Sequence, residues 1–465
     1  MSKNIGLFWV KDDFRFHKNL ALSEATKKHD HVVAFYLYKK QKFLKQEAQR
    51  WWVGKSLEEF KKRLAKININ LEIIETSSYK FFFEKLFQKK DICFYWNKTY
   101  EPDYLKFDKY LSTNFKNNQI HFQIFKGNIL NEFEEVKKAD GTPFKVFTPY
   151  WRNAEKFYIE KVPSIQKNIS KCKKKLSFFK KTMELVEILP KKQWSKKFEK
   201  YWYPSEENAL RNLRAFTKVI ENYSNSRNFP SISGTSKLSP YIKHGQIHVE
   251  TIWEECSKIK KSGVNKFLTE IGWREFNHTL INNFPYMLKG NYSKKFDKFP
   301  WVKNQKLLNA WKKGKTGYPI VDAGMRELYA TGWMHNRVRM IVGSFLVKHL
   351  LINWMEGEKY FRECLLDYSE ANNISGWQWV AGCGADAAPY FRIFNPILQG
   401  EKFDKDGLYV KKWVPELVNV PKKFIHKPWE IKEEKDFAFI KKEYPDPIVV
   451  HEIARSKALS AFKKI

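Results

Sequence analysis

A chain of 465 residues with 43% hydrophobic content has apolar material for two or three packed domains, which excludes a disordered tail or a small module. Its formal net charge of +34 favours a polyanionic partner. Lysines outnumber arginines 71 to 14, however, so part of the excess is compositional, and the arginines kept at Arg227, Arg274, Arg337, Arg339 and Arg392 point to places where a guanidinium fork serves better than a lysine.

The first segments predict no membrane span and no leader: Ile5–Val10 is short and runs straight into Lys11-Asp12-Asp13. Strands are predicted over Ile5–Val10, His31–Tyr38, Ile69–Glu75, Ile92–Trp96 and His121–Phe125, with helices such as Glu47–Lys66 and Tyr79–Lys89 between them. Apolar strands separated by helices imply a parallel sheet covered on both faces, a Rossmann-like α/β domain over residues 1–130. The stretch Ile5-Gly6-Leu7-Phe8 lacks the G-x-G-x-x-G fingerprint, so a dinucleotide is not expected there.

Residues 131–205 read as an interdomain connector, and the lysines of Ser170–Lys181 make that stretch a solvated surface. Residues 206–465 read as helical, and Asp322–Leu351 carries Met325, Leu328, Met340, Ile341, Phe345 and Leu346 at helical spacing. Cys93, Cys172, Cys256, Cys364 and Cys383 show no metal spacing, so a reducing, cytoplasmic setting without a metal centre is expected. His244 and His248 lie at i and i+4 and read as a surface face rather than a metal pair.

Four segments carry chemistry. In Gly234-Thr235-Ser236-Lys237-Leu238-Ser239-Pro240, hydroxyls and backbone N–H groups at a helix start suit a diphosphate. In Leu268-Thr269-Glu270-Ile271-Gly272-Trp273-Arg274-Glu275-Phe276, a carboxyl group and an indole fall one helical turn apart. In His335-Asn336-Arg337-Val338-Arg339-Met340, Asn336 and Met340 share a face. In Ala371-Asn372-Asn373-Ile374-Ser375-Gly376-Trp377-Gln378-Trp379, the indoles at i and i+2 point to different sides of a helix. Together they suit a pocket for a flat, partly polar aromatic guest.

These segments resemble the photolyase/cryptochrome flavoproteins, nearest to the class I cyclobutane pyrimidine dimer group. The opening Leu7–Phe16 and the Phe144–Trp151 segment are similar too. The resemblance implies an α/β antenna domain and a helical domain that binds FAD, active as reduced FADH⁻. It implies that Tyr223, Thr235, Ser236, Lys237, Leu238, Ser239, Arg339, Asp367, Tyr368, Ser369 and Asn373 hold the flavin, with Arg339 and Asp367 paired over its ring. It implies UV-damaged DNA as partner of a monomer, cytoplasmic and nucleoid-associated in a bacterium. Arg227, Glu270, Trp273, Arg274, Asn277, Asn336, Arg337, Met340 and Trp379 would meet the lesion or its strand, with Gln399 and Lys402 holding the strand. Trp377, Trp354 and Trp301 match the tryptophan chain that carries electrons between flavin and surface. Light would drive an electron from the flavin to the dimer, open the cyclobutane ring, and return the electron. Such enzymes flip the lesion out of the duplex.

Two departures from the family pattern stand out. Ser369 replaces the usual aspartate, which removes a negative charge beside the flavin. Lys289 matches a folate contact of some relatives, but Leu288 replaces the cysteine, so methenyltetrahydrofolate, a deazaflavin, a second flavin and an empty antenna site all remain open. Three other functions compete. A photoreceptor of the cryptochrome kind would share the flavin site, and the short segment after Leu417 argues against it. Pyrimidone-photoproduct enzymes carry a histidine pair where this chain has His335-Asn336-Arg337. A basic nucleic-acid binder explains the charge but not the motifs.

Overall fold

The computed structural model describes residues 5–89, 91–160, 168–190 and 193–465. Five parallel strands, β1 (Ile5–Val10), β2 (Val32–Tyr38), β3 (Asn70–Glu75), β4 (Ile92–Asn97) and β5 (His121–Phe125), form one sheet in the order β3-β2-β1-β4-β5. Alternate residues face opposite sides. Phe8 and Val10 pack with Ala21, Leu22 and Leu57 on one face, and Leu7 and Trp9 with Phe83, Leu111 and Phe115 on the other. Double coverage is why β2 is buried along its whole length. Strand order reverses between β1 and β4, and the carboxyl ends of strands at such a reversal leave a crevice for a ligand.

Two expectations need correction, and a third is refined. The helix beginning at Tyr79 ends at Glu84, not Lys89. Beyond it the N–H groups of Leu86, Phe87 and Lys89 bond three residues back, a tighter winding that turns Leu86 inward. Asp322–Leu351 is not one helical span. The helix Pro319–Thr331 stops at Gly332, which takes a left-handed φ of 70°. The chain restarts as Asn336–Ser344 and widens to a π turn over Phe345–His349. His244 and His248 are buried rather than on a surface face, and their Nε2–H groups donate to the carbonyls of Leu366 and Gly127 at 2.9 and 3.0 Å.

The stretch read as a solvated connector is held down. Cys172 N–H donates to Ile67 O at 3.0 Å, Met183 N–H to Ile73 O at 2.7 Å, and the N–H groups of Phe178 and Phe179 to the Glu72 carboxylate. Its lysine heads stay exposed while Phe178 and Phe179 pack on the sheet layer. Earlier in the same region, the helix Phe147–Glu160 crosses the helix Gly263–Asn283. The crossing is close because Gly272 has no side chain: a Cβ there would stand 2.4 Å from Cε3 of Trp151.

Buried acids join the α/β layer to the helical part. Glu206 accepts from the N–H groups of Phe16 and His17 and pairs with Arg63. Glu275 accepts from Leu130 N–H at 2.9 Å and from Arg274 at 2.9 Å, and burial pushes its carboxyl up to about 7.

Candidate active site

A cavity of about 610 Å³ opens between the two parts and is lined from both. That volume lies within the range of cofactor and ligand pockets. The helix Gly263–Asn283 presents Glu270, Trp273, Arg274 and Asn277 to it, at i, i+3, i+4 and i+7. The helix Asn336–Ser344 presents Asn336, Arg339 and Met340. Asp367, Tyr368 and Ser369 line it just before the helix Glu370–Ala381, which adds Asn373, Trp377 and Trp379. Tyr223, Arg227, Ser236 and Ser239 complete the wall on the side of the short helix Ser239–Lys243.

The polar network is specific. One oxygen of Asp367 accepts from Arg339 Nη2 at 2.8 Å and from Ser239 Oγ at 2.6 Å. Its other oxygen, Oδ1, is buried without a protein partner, as are Trp377 Nε1 and Ser375 Oγ. Tyr368 O–H donates to Glu358 at 3.0 Å, and Asn373 Nδ2 lies 3.3 Å from the same oxygen. Ser369 Oγ accepts from Asn372 Nδ2, while Asn372 Oδ1 accepts from Asn277. A buried polar atom without a partner is costly. These three atoms have almost no accessible surface and so do not face the cavity; what fits a planar heteroaromatic guest such as a flavin ring is the lining itself, with Arg339, Ser239 and Asn373 beside apolar Phe361, Leu365 and Trp377. The charge left out at Ser369 is only partly restored next door: burial and the neighbouring Glu101 push the Glu370 carboxyl up to about 7.

Opposite that network, Glu270 pairs with Arg227, and Lys266 Nζ lies 3.8 Å away. The Arg227 guanidinium also sits 5.4 Å from the centre of the Tyr223 ring. Trp273 stacks on Phe147, with centroids 3.8 Å apart.

Other expected residues lie off the wall. Leu238 is buried in the core, and Thr235 and Lys237 stand outside the lining. The reason is backbone geometry: Lys237 takes a left-handed φ of 52°, so only Ser236 and Ser239 of that run face the cavity. Arg337 points away, donating to Asn228 at 2.7 Å over the Phe403 ring. Gln399 and Lys402 belong to the helix Pro396–Phe403 beyond it. Trp354 is buried and donates to Asn291 at 2.8 Å, and its helix, Trp354–Cys364, packs Phe361 against Trp377. Trp301 is half-buried, and the next residue, Val302, donates to Leu351 O just ahead of that helix. Lys289 is exposed, while Leu288 and Trp354 line a second cavity of about 420 Å³.

Sequence reasoning missed the sheet side of the cavity. Asp12, Lys98, Tyr100 and Glu101 follow β1 and β4, and Lys243 bridges Asp12 at 3.1 Å and Glu101 at 3.2 Å. Burial alone would lower the Lys243 ammonium, but the two carboxylates outweigh it and raise it. The available cue was that Asp12 and Lys98–Glu101 follow predicted strands, at whose carboxyl ends ligands of parallel sheets bind.

Known proteins resemble this chain over its whole length. A family model described as DNA photolyase matches residues 6–167, and one described as FAD binding domain of DNA photolyase matches residues 267–464. The deoxyribodipyrimidine photo-lyase of Agrobacterium fabrum is 38% identical over 99% of this chain and 98% of its own length. The chain belongs to the DNA photolyase family. The family fold is also evident in solved structures. A bacterial class III photolyase from Agrobacterium tumefaciens superposes with a TM-score of 0.93 at 38% identity, covering 100% of this chain and 98% of its own. An archaeal photolyase from Sulfolobus tokodaii, solved with two FAD molecules, superposes with a TM-score of 0.84 at 26% identity, covering 99% and 100%. The helical half of this family member is thus its FAD-binding domain. No helix among the described residues is long and apolar enough to cross a membrane.

Proposed function

We propose that this chain repairs cyclobutane pyrimidine dimers in DNA under light. One observation carries the reading: the Asp367–Asn373 wall and the Glu270–Trp273 wall belong to one cavity, so a guest against the second lies beside a flavin against the first. FAD, when bound, supplies the light-driven electron; the protein supplies binding and electrostatics. Arg339 and Asp367 would hold a bound flavin, and Asn373 would offer it an amide without adding charge. Glu270 and Asn336 reach the carbonyls of the lesion, Trp273 and Trp379 pack its apolar faces, and Met340 fills the gap between them. Trp377, with Trp354 and Trp301 behind it, would supply electrons to a bound flavin.

His335 bears on the choice of lesion. Reversal of the pyrimidone photoproduct needs a proton donor. His335 is buried off the cavity wall, its Nδ1 accepts from Arg337 N–H, and burial with Arg337 and Arg339 nearby holds it down at about 3. Burial thus disfavours its protonated form, and it stands away from the wall where the lesion would lie. The subgroup we favour is class III rather than class I, because the Agrobacterium tumefaciens structure matches this chain end to end. An antenna group has two places to bind: the sheet lobe around Lys243 and the cavity beside Leu288. The absorption spectrum of the released chromophore distinguishes folate, deazaflavin and a second flavin.

The deciding assay illuminates the chemically reduced protein with each defined lesion in duplex DNA. We expect the cyclobutane dimer to disappear and the pyrimidone product to persist. Repair of the pyrimidone product alone would overturn the lesion assignment. Repair of neither would favour a light receptor.

A further inference from the structure

Phe144–Trp151 is the one family-like segment that the site leaves without a role. Phe147 is buried and lies parallel to Trp273, with ring centroids 3.8 Å apart and planes at 9°. No other aromatic pair among the described residues is this close. Trp273 meets its other ring neighbour, Phe276, edge-on at 5.9 Å. With one indole face covered by Phe147, the face left is the one a guest in the cavity meets.

The position of Phe147 is itself fixed at two points. One turn along its helix, Trp151 rests on the bare backbone of Gly272, which sets the two helices at close approach. At the helix start, Phe147 N–H donates to Asp386 Oδ2 at 3.0 Å. Asp386 is exposed and takes a left-handed φ of 48°. It follows the turn in which the N–H groups of Cys383 and Gly384 return to Gln378 O at 3.1 and 3.0 Å. That turn ends the helix bearing Trp379, the second indole of the cavity. A chain of direct contacts therefore joins the two indoles: Trp273, Phe147, Asp386, then the turn after Trp379.

We propose that Phe147 is a positioning residue for lesion binding, holding the Trp273 indole at a set spacing from Trp379, with Asp386 as its tether. The proposal rests on the reading that this cavity takes the dimer. The physical reason is preorganisation: a side chain already held in one rotamer loses little freedom when a guest arrives.

The test measures dissociation constants in the dark for a duplex with one cyclobutane dimer and for the same duplex undamaged. The proteins are the unaltered chain, Phe147→Leu, Asp386→Ala, Trp273→Ala and the Phe147→Leu/Trp273→Ala double variant, with flavin content and photoreduction rate recorded for each. Phe147→Leu keeps apolar volume and removes the ring face. It should lose about twofold to tenfold of the preference for the dimer, the size of one aromatic pair, with unchanged affinity for undamaged DNA and unchanged photoreduction. Asp386→Ala should lose less, in the same direction. In the Trp273→Ala background, Phe147→Leu should add nothing. Full preference in both single variants, or an equal effect of Phe147→Leu without Trp273, overturns the proposal. Should Phe147→Leu fail to retain flavin, Asp386→Ala decides, since it leaves the ring and the core in place. No preference for the dimer in the unaltered chain would sink the functional reading, and this proposal with it.

Discussion

The indole of Trp377 lies against bare backbone at Gly357, where a Cβ would stand 2.1 Å from its Cη2. This contact fixes the residue between the cavity and the helix that Trp354 begins. Edge-on contacts with Phe361 at 5.0 Å and Trp311 at 6.1 Å close the remaining sides.

Trp377→Phe should abolish light-driven reduction of the oxidised flavin, because phenylalanine fills the space but is far harder to oxidise. Repair by chemically reduced protein should survive. Flash photolysis of both proteins checks this, and unchanged photoreduction would remove Trp377 from the electron path. Gly357→Ala should destabilise the fold by about 1–3 kcal/mol through overpacking, as read from urea unfolding.

Ser369→Asp should make the flavin harder to reduce. An added carboxylate would face the ring beside Asn372, and Glu370, pushed up to about 7, supplies only a partial charge of its own at neutral pH. A shift of roughly −30 to −60 mV, the equivalent of ~1.4–2.8 kcal/mol for a two-electron couple, is expected from redox titration. A potential that does not move would show that position 369 does not face the ring.

Glu275 should give stability a definite pH slope. Its folded-state value is raised to about 7 from 4.5, so the native chain holds a proton that the unfolded chain releases between those values. The contribution is complete below about pH 4.5 and is lost as pH rises through 7, so stability falls with rising pH across this window. The loss amounts to about 3 kcal/mol at most. Glu275→Gln should flatten that part of the profile. Denaturant unfolding at pH 5 and pH 8 for both proteins measures the difference, and identical slopes would contradict the assignment.

DNA affinity should carry a large electrostatic part. If four to six phosphates are neutralised, log K against log salt should slope near about −4 to −5, at roughly 0.9 per phosphate. Titration of duplex DNA at several salt concentrations reads this directly. A flat profile would reduce the +34 charge to compositional bias.

The sheet was legible because both of its faces are covered: unbroken apolar runs such as Val32–Tyr38 mark buried strands, and the strand limits match to within about a residue. The cavity wall was legible where a motif lies on one helix, as with Asn373 and Trp377. Legibility failed where backbone turns redirect side chains. The run from Thr235 to Ser239 reads as one loop, yet the left-handed Lys237 turns only Ser236 and Ser239 to the cavity. It failed again where partners are distant in sequence. Nothing local to Phe147 announces Trp273, and nothing local to Lys243 announces Asp12 and Glu101.

The lysine-rich stretch on the α/β layer has a consequence for handling the protein. By composition it offers trypsin a row of cleavage sites. Cleavage requires a peptide segment to leave its place and extend into the enzyme. Here the backbone is bonded at Cys172, Phe178, Phe179 and Met183, and the phenylalanines are packed beneath it. Nicking within it must wait for those bonds to open together, so limited digestion of the native chain will spare this stretch despite its exposed lysines.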